Sequence, residues 1–387
     1  MKSIFSKIFI VLLFIAVLCG CSPKDDRVTI KFASWGSKSE VDILKPMLKD
    51  FENNNPDIRV DFMHIPQNYF QKIHLLFASN SAPDVVFMNN LYLPVYANAG
   101  VLESVDDWAD LSQYDPNIIC SLSWKAATYA VPRDVSNLVI FYNKDLFDKF
   151  GVKYPTEDWT YDDFLKICQK FKDKGVFGIS FEEAPLFFLP YLMSEGGEIV
   201  TVFGRVMVYE ENSQKGLNFY ADLRKKYHVA PMAEESASAT MAQLFLQQKI
   251  AMHLTGRWLV PKYREEAKFD WDIAPFPKGS AGSVVQLDAS GWSVSKSSKH
   301  KEEAHRLVNY LSSKESIERI TQCGLIVPAR RDVQKSNYFL DGKAPKHAEV
   351  FLDVIKTSRH TPVPVNYREI LDNLSRYFEQ MFRENLK

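Results

Sequence analysis

The residues of this chain best suited to chemistry are rings and planar polar groups set beside small residues or at strand ends. Trp35 precedes Gly36-Ser37, Trp258 follows Gly256-Arg257, and Trp292 follows Gly291. An indole offers a broad apolar face on which the C–H face of a flat ligand stacks. Asn89 closes the apolar run Val85-Val86-Phe87-Met88, Arg133-Asp134 follows Pro132, Arg330 follows Pro328-Ala329, and Glu40 opens a helix-forming stretch. Asn, Asp, Glu and Arg hold donors or acceptors at fixed separation, which suits neighbouring hydroxyls. Stacking plus paired hydrogen bonds is the chemistry of holding a small polar ligand.

Each residue also has a plainer role. Trp35 could fill a core, Trp258 could cover the helix that follows it, and Trp292 could pack at a chain crossover. Asn89 or Asn90 could cap a helix. Glu40 is favoured at a helix N-terminus by the backbone dipole. Arg133-Asp134 could be a salt bridge, and one of Arg330 and Arg331 should be exposed. Phe187, Phe188 and Tyr191, beside Gly196-Gly197, could line a wall or fill a core.

Signatures of catalysis are weak. Gly291-Trp292-Ser293-Val294-Ser295 lacks the second glycine of a nucleophile elbow. There is no His-Glu-x-x-His, no phosphate-binding Gly-x-x-x-x-Gly-Lys-Ser/Thr loop and no Cys-x-x-Cys. Asp106-Asp107, Glu182-Glu183 and Glu302-Glu303 are sequence neighbours whose side chains diverge, unlike the opposed carboxylates of a glycosidase. His253 sits in an apolar strand and reads as core. No metal and no cofactor are expected. A glycoside hydrolase built on two distant carboxylates stays open as an alternative. With 47 Lys+Arg against 48 Asp+Glu, the chain has no basic excess for nucleic acid.

The first residues carry an address. Lys2 and Lys7 precede an unbroken apolar run from Ile8 to Leu18, too short for a stable span of a ~30 Å hydrocarbon core. A positive start, an apolar run and a small-residue break mark a secretory signal. Leu18-Cys19-Gly20-Cys21 looks like a bacterial lipobox, which implies cleavage before Cys21, lipid on its sulfur and a polar tether from Ser22 to Arg27. Cys120, Cys168 and Cys323 then allow at most one disulfide, and free thiols fit as well.

The elements that must position these side chains follow in order. Val28, Ile30 and Phe32 alternate as a strand, and Leu44, Leu48 and Phe51 follow at helical spacing with Pro46 expected near the first turn. A second strand carries Ile58, Val60 and Phe62. This is a strand–helix–strand unit. Val85–Met88 reads as a strand buried on both faces. Trp159, Thr160, Asp163 and Phe164 form a capping box with a staple. Strands are predicted at Gly178–Phe181, Lys249–Leu254, Trp271–Phe276 and Gly291–Ser295, and a helix at Tyr367–Phe382. In open sheets, ligands gather at strand C-terminal ends.

In order along the chain, several blocks resemble one family: Trp35-Gly36, Pro83-Asp84-Val85-Val86, Ala99-Gly100-Val101-Leu102, Val139-Ile140-Phe141-Tyr142-Asn143-Lys144-Asp145-Leu146-Phe147, Lys249-Ile250-Ala251-Met252, Gly256-Arg257-Trp258, Gly291-Trp292 and Pro328-Ala329-Arg330. Together they are similar to extracellular solute-binding proteins of the carbohydrate ABC importers, the maltose-binding-protein-like group. Gln247-Gln248-Lys249 departs from the family, which often has Gly before the Lys; a turn variant is expected there. The resemblance implies an α/β, two-lobed periplasmic-binding-protein-like fold. Each lobe would be a mostly parallel sheet flanked by helices, joined by hinge crossovers near Ala130–Ile140, Ser283–Gly291 and Arg330–Val333. The implied division is a signal peptide at 1–20, a lipidated tether at 21–27, an N-terminal lobe from 28–132 and 289–331, and a C-terminal lobe from 133–288 and 332–387. It implies a monomer that binds a sugar or oligosaccharide at Trp35, Glu40, Asn89, Arg133, Asp134, Trp258, Gly291, Trp292 and Arg330. The solute would pass to membrane permease subunits. A sugar phosphate, polyol or other solute is the alternative, favoured if Arg133 and Arg330 meet in the cleft.

Overall fold

The structure is a computed structural model that describes residues 26–236 and 239–383. Cys21 and the leader before it lie outside the described residues. Strand β1 (Val28–Ser34) buries Ile30 and Phe32 and turns Thr29 and Lys31 outward. Helix α1 (Lys38–Asn54) opens with a capping box in which the Glu40 N–H donates to Ser37 Oγ and the Ser37 N–H donates to Glu40 Oε2. That cap starts the helix early, so Pro46 falls inside it rather than in its first turn. The missing N–H is tolerated because Pro46 and Asp42, four residues before it, lie on the exposed face, where water can bond the freed carbonyl.

Strand β2 (Ile58–His64) pairs parallel with β1 from Val28↔Ile58 to Ser34↔His64. After helix α2 (Tyr69–Ala78), strand β3 (Val85–Asn89) pairs parallel on the other edge of β1. Strand β4 (Val131–Ser136) enters the same sheet, whereas β5 (Val139–Asn143) belongs to another. Asn137 and Leu138 alone join them. Helix α3 (Tyr161–Lys172) has the expected Thr160–Asp163 capping box, and the Trp159 ring meets Phe164 edge-on at 5.7 Å. Strands β6 (Phe177–Ile179), β7 (Ile250–Thr255) and β8 (Trp271–Ala274) complete the second sheet. The chain then returns through β9 (Gln286–Val294), β10 (Val327–Pro328) and β11 (Arg359–His360) and ends in helix α4 (Tyr367–Phe382).

The larger sheet has seven strands in the order β10-β4-β9-β3-β1-β2, with β11 on β9; the smaller has four in the order β8-β5-β7-β6. Both are mixed rather than mostly parallel. The units β1–β2, β1–β3 and β6–β7 are parallel, but β9 runs antiparallel to β3 and β4, and β5 antiparallel to β7 and β8.

Sheet membership also moves the boundaries. Arg133 and Asp134 lie within β4, so a division between 132 and 133 would cut a strand of the larger sheet; the chain changes sheets at Asn137-Leu138. Strand β9 begins at Gln286, ahead of the expected 288/289 division. Gln248 adopts φ 58°, the left-handed turn that glycine would occupy most easily. Cys120, Cys168 and Cys323 are free thiols. Among the described residues no helix is long and apolar enough to cross a membrane.

Candidate functional site

Five of the sequence-derived residues converge. A cavity of about 170 Å³ between the two sheets is bordered by Trp35, Glu40, Arg133 and Asp134 from the larger lobe and by Trp258 from the smaller. Trp35 and Glu40 also line a wider groove of about 710 Å³, which continues past Ser37 and Lys38 to His64 and Gln67. The strand-end argument explains part of the convergence: Trp35 follows β1 and Trp258 follows β7, whereas Arg133-Asp134 lies in the middle of β4 and Glu40 in the first turn of α1.

Trp35 is held on edge by Tyr69, Phe70 and Phe87, at centroid distances of 5.2, 5.2 and 4.6 Å. Its ring is therefore both half-packed and part of the cavity wall. Trp258 lies against the backbone of Gly256. A Cβ there would come within 2.0 Å of the indole, so the ring takes this position only over glycine.

The polar floor is a buried ion cluster. Arg133 Nε donates to Asp134 Oδ2 at 2.6 Å, and Nη1 reaches Glu40 Oε1 at 3.5 Å. The guanidinium lies over the Phe87 ring at 4.2 Å. Burial pushes the Asp134 carboxyl up, opposed by Arg133. Burial pulls Arg133 down, but the carboxylates of Asp134 and Glu40 more than offset it, so it stays charged. Glu40 serves the helix cap and the cluster through different oxygens.

Four expected residues stand elsewhere. Asn89 Oδ1 accepts from the Tyr92 N–H at 3.2 Å and so holds the turn after β3. Gly291 sits mid-strand at a register shift between β9 and β4, where a Cβ would meet the Val131 carbonyl oxygen at 2.2 Å. Its role is close strand approach. Trp292 is wholly buried in the core of the larger lobe, edge-on to Phe32 at 5.3 Å and tilted to Phe87 at 4.8 Å. Arg330 is held by Asp332 at 2.8 and 3.0 Å and by the Ser312 carbonyl at 3.1 Å, away from the cavity. Phe188 and Tyr191 are core, and Phe188 packs on Phe378 and Phe382. His253 is also core, bonded to Tyr263.

Other cavity residues were not singled out from the sequence: Ser136, Asn137, Arg257 and Ser290. Arg257 had a usable signal in its place between Gly256 and Trp258. Asn137 had none, because nothing local marks the residue at which a chain changes sheets. Further contacts tie segments distant in the chain to one another. Asp288 accepts from Asn90 Nδ2 at 2.7 Å and from Thr361 Oγ1 at 2.8 Å, and Arg368 Nη1 donates to Tyr92 Oη at 3.2 Å. Among the described residues no group of His, Cys, Asp and Glu could hold a metal ion.

This geometry has recognisable relatives. The profile of the family described as bacterial extracellular solute-binding protein matches residues 36–318. The multiple sugar-binding protein of Streptococcus mutans is 25% identical over 322 residues, 76% of this chain and 74% of that protein. The galactooligosaccharide-binding protein of Bacillus subtilis is 24% identical over 324 residues, 77% and 74% of the two chains. Among solved structures, an ABC substrate-binding protein from Listeria monocytogenes in complex with cycloalternan superposes with a TM-score of 0.82 at 27% identity, over 92% of this chain and 94% of that one. A maltose-bound protein of T. maritima shares the fold, with a TM-score of 0.78 at 24% identity over 92% and 94%. With two sheets, a cleft between them and a family profile over most of its length, this chain belongs to the bacterial extracellular solute-binding protein family.

Proposed function

We propose that this protein is the solute-binding component of an ABC importer and captures a sugar or oligosaccharide between its lobes for delivery to membrane permease subunits. The observation that carries the reading is that Trp35 and Trp258, from different lobes, border one cavity floored by the Glu40–Arg133–Asp134 cluster. Rings from two sides suit the C–H faces of a pyranose, and the buried polar groups suit its hydroxyls. The relatives named above for sugars support the same class of solute.

On this reading the lobes meet at Asn137-Leu138, between Ala274 and Gln286, and beyond Pro328, and rotate about these segments. A solute that touches both lobes favours the closed arrangement by its differential affinity. The protein works as a monomer, without cofactor and without turnover of the solute. Lipid on Cys21 tethers it at the outer side of a bacterial membrane, beside its permease; an uncharacterized lipoprotein of Streptomyces antibioticus, 26% identical over 326 residues, accords with this. The sugar-phosphate alternative loses its main support, since Arg330 stays with Asp332 and does not join Arg133.

A thermal-shift screen of the purified protein against maltose, maltotriose, cycloalternan, galactooligosaccharides, polyols and sugar phosphates tests the proposal. A solute at a hundred times its Kd adds about 2.7 kcal/mol to folding stability, a readily measured rise in Tm. At least one saccharide should give it and be recovered intact. No rise with any saccharide refutes sugar capture, and release of cleaved sugar refutes pure binding.

A further inference from the structure

We propose that Asn137 and Arg257 together form a subsite for one hydroxyl group of the solute, which makes the pocket selective for a neutral polyhydroxylated ligand over an acidic one. The inference rests on the sugar-binding reading above and goes on to its chemistry.

Both residues border the cavity and both are almost fully buried, Asn137 with 1% and Arg257 with 2% of its surface exposed. Asn137 Nδ2 donates to the Phe351 carbonyl at 2.8 Å. That bond fixes the amide orientation, because the carbonyl needs a donor. Asn137 Oδ1 is left as an acceptor without a protein partner. Arg257 shows the reverse. Its Nη2 makes one long bond, 3.4 Å, to the Phe339 carbonyl, while Nε and Nη1 have no protein acceptor. Among the described residues no carboxylate lies within salt-bridge distance of it. Two aromatic rings lie against its guanidinium, Phe339 at 4.1 Å and Phe351 at 5.5 Å. Burial lowers its pKa, to about 10, which leaves it charged at neutral pH.

Phe351 adjoins both side chains, so an orphan acceptor and orphan donors stand in one neighbourhood of one cavity. Buried polar groups carry a free-energy cost until they are paired. A hydroxyl is the simplest group that answers both, since it accepts from Arg257 and donates to Asn137 in the same position. A carboxylate or phosphate answers only the arginine. It would meet the lone pairs of Asn137 Oδ1 and add negative charge near Asp134 and Glu40. The location strengthens the assignment. Asn137 is the residue between β4 and β5, where the chain changes sheets, and Arg257 lies in the turn after β7 of the smaller lobe. A hydroxyl shared by the two would tie the crossover to the lobe that must move.

The test is titration calorimetry on the full chain with maltotriose, galactotriose and cycloalternan as neutral probes and trigalacturonate and glucose 6-phosphate as acidic ones. Arg257→Met keeps the aliphatic stem and removes the donors; Asn137→Ala removes the acceptor. Each should weaken binding of the saccharide that wild type takes by tenfold or more. The double variant should lose much less than the product of the two, because both act on one group. Arg257→Met should leave the unliganded Tm unchanged or raise it, since it deletes a buried charge that lacks an ionic partner. A purely structural Arg257 would instead lower Tm and spare affinity, and that overturns the subsite. So does wild-type affinity in Arg257→Met, a multiplicative loss in the double variant, or tighter binding of an acidic probe. If wild type binds none of the neutral probes, sugar capture itself fails for them and the subsite falls with it, a result visible before any variant is made.

Discussion

Replacing Gly256 with alanine separates the position of the Trp258 ring from its presence. Gly256 has φ −109° and ψ 179°, extended backbone that alanine adopts without strain. The added methyl would lie 2.0 Å from Trp258 Cζ3 and 2.4 Å from Cε3 and Cη2. These are ring atoms well inside contact distance, so the indole must swing away from the strand end. If the ring stacks on a sugar, it forfeits one covered face, roughly 60–100 Å² of apolar contact. At about 25 cal/mol per Å² this is about 1.5–2.5 kcal/mol, or roughly 10- to 70-fold in Kd. The assay is calorimetry with the saccharide that raises Tm most, beside tryptophan emission of the unliganded protein. Emission should change because the ring moves, and affinity should fall into that range, short of or equal to the loss in Trp258→Ala. Changed emission with unchanged affinity would show that Trp258 does not touch the solute.

Arg133→Met should destabilise the fold by about 3–5 kcal/mol, because it leaves the Asp134 carboxyl buried without its cation. Arg133→Met with Asp134→Asn should recover much of that loss in urea unfolding, and a double variant no better than the single would contradict the pairing. Gly291→Ala should cost about 3 kcal/mol, since its Cβ would strike the Val131 carbonyl across the β9–β4 pair; an unchanged Tm would refute the close-approach role. For pH, burial holds His253 below its usual value of 6.5 despite Glu182 nearby. The unfolded chain takes the proton first, so stability present above about pH 6.5 is lost as pH falls below it. The slope is at most about 1.4 kcal/mol per pH unit for this group. His253→Gln should flatten the fall of Tm between pH 7 and 5, and an unchanged slope would assign it to other groups, among them His360, which burial also lowers.

Local elements were legible in the sequence because local rules set them. Alternation placed β1 and β2, and the Thr160–Asp163 pair placed the start of α3. Pro46 misled the reading of α1. The rule against interior proline is about a lost hydrogen bond, and that loss is small where the freed carbonyl faces water. The glycine–tryptophan pairs illustrate the other limit. Gly256-Arg257-Trp258 and Gly291-Trp292 look alike, yet the first glycine seats a ring at a cleft and the second lets two strands meet over a buried ring.

By itself the sequence placed strand and helix segments, raised the expectation of a leader that ends at Cys21, and offered a set of rings and planar polar groups able to stack on and hydrogen-bond a small solute. It did so because periodicity, caps and residue chemistry act over a few neighbouring positions. Tertiary structure alone decided which of those groups share a cavity. Trp35, Arg133 and Trp258 lie far apart in the chain, and their meeting depends on where it changes sheets. The same long-range pairing sent Trp292 into a core and Arg330 to Asp332, and it left Asn137 and Arg257 buried with part of their hydrogen-bonding capacity unspent.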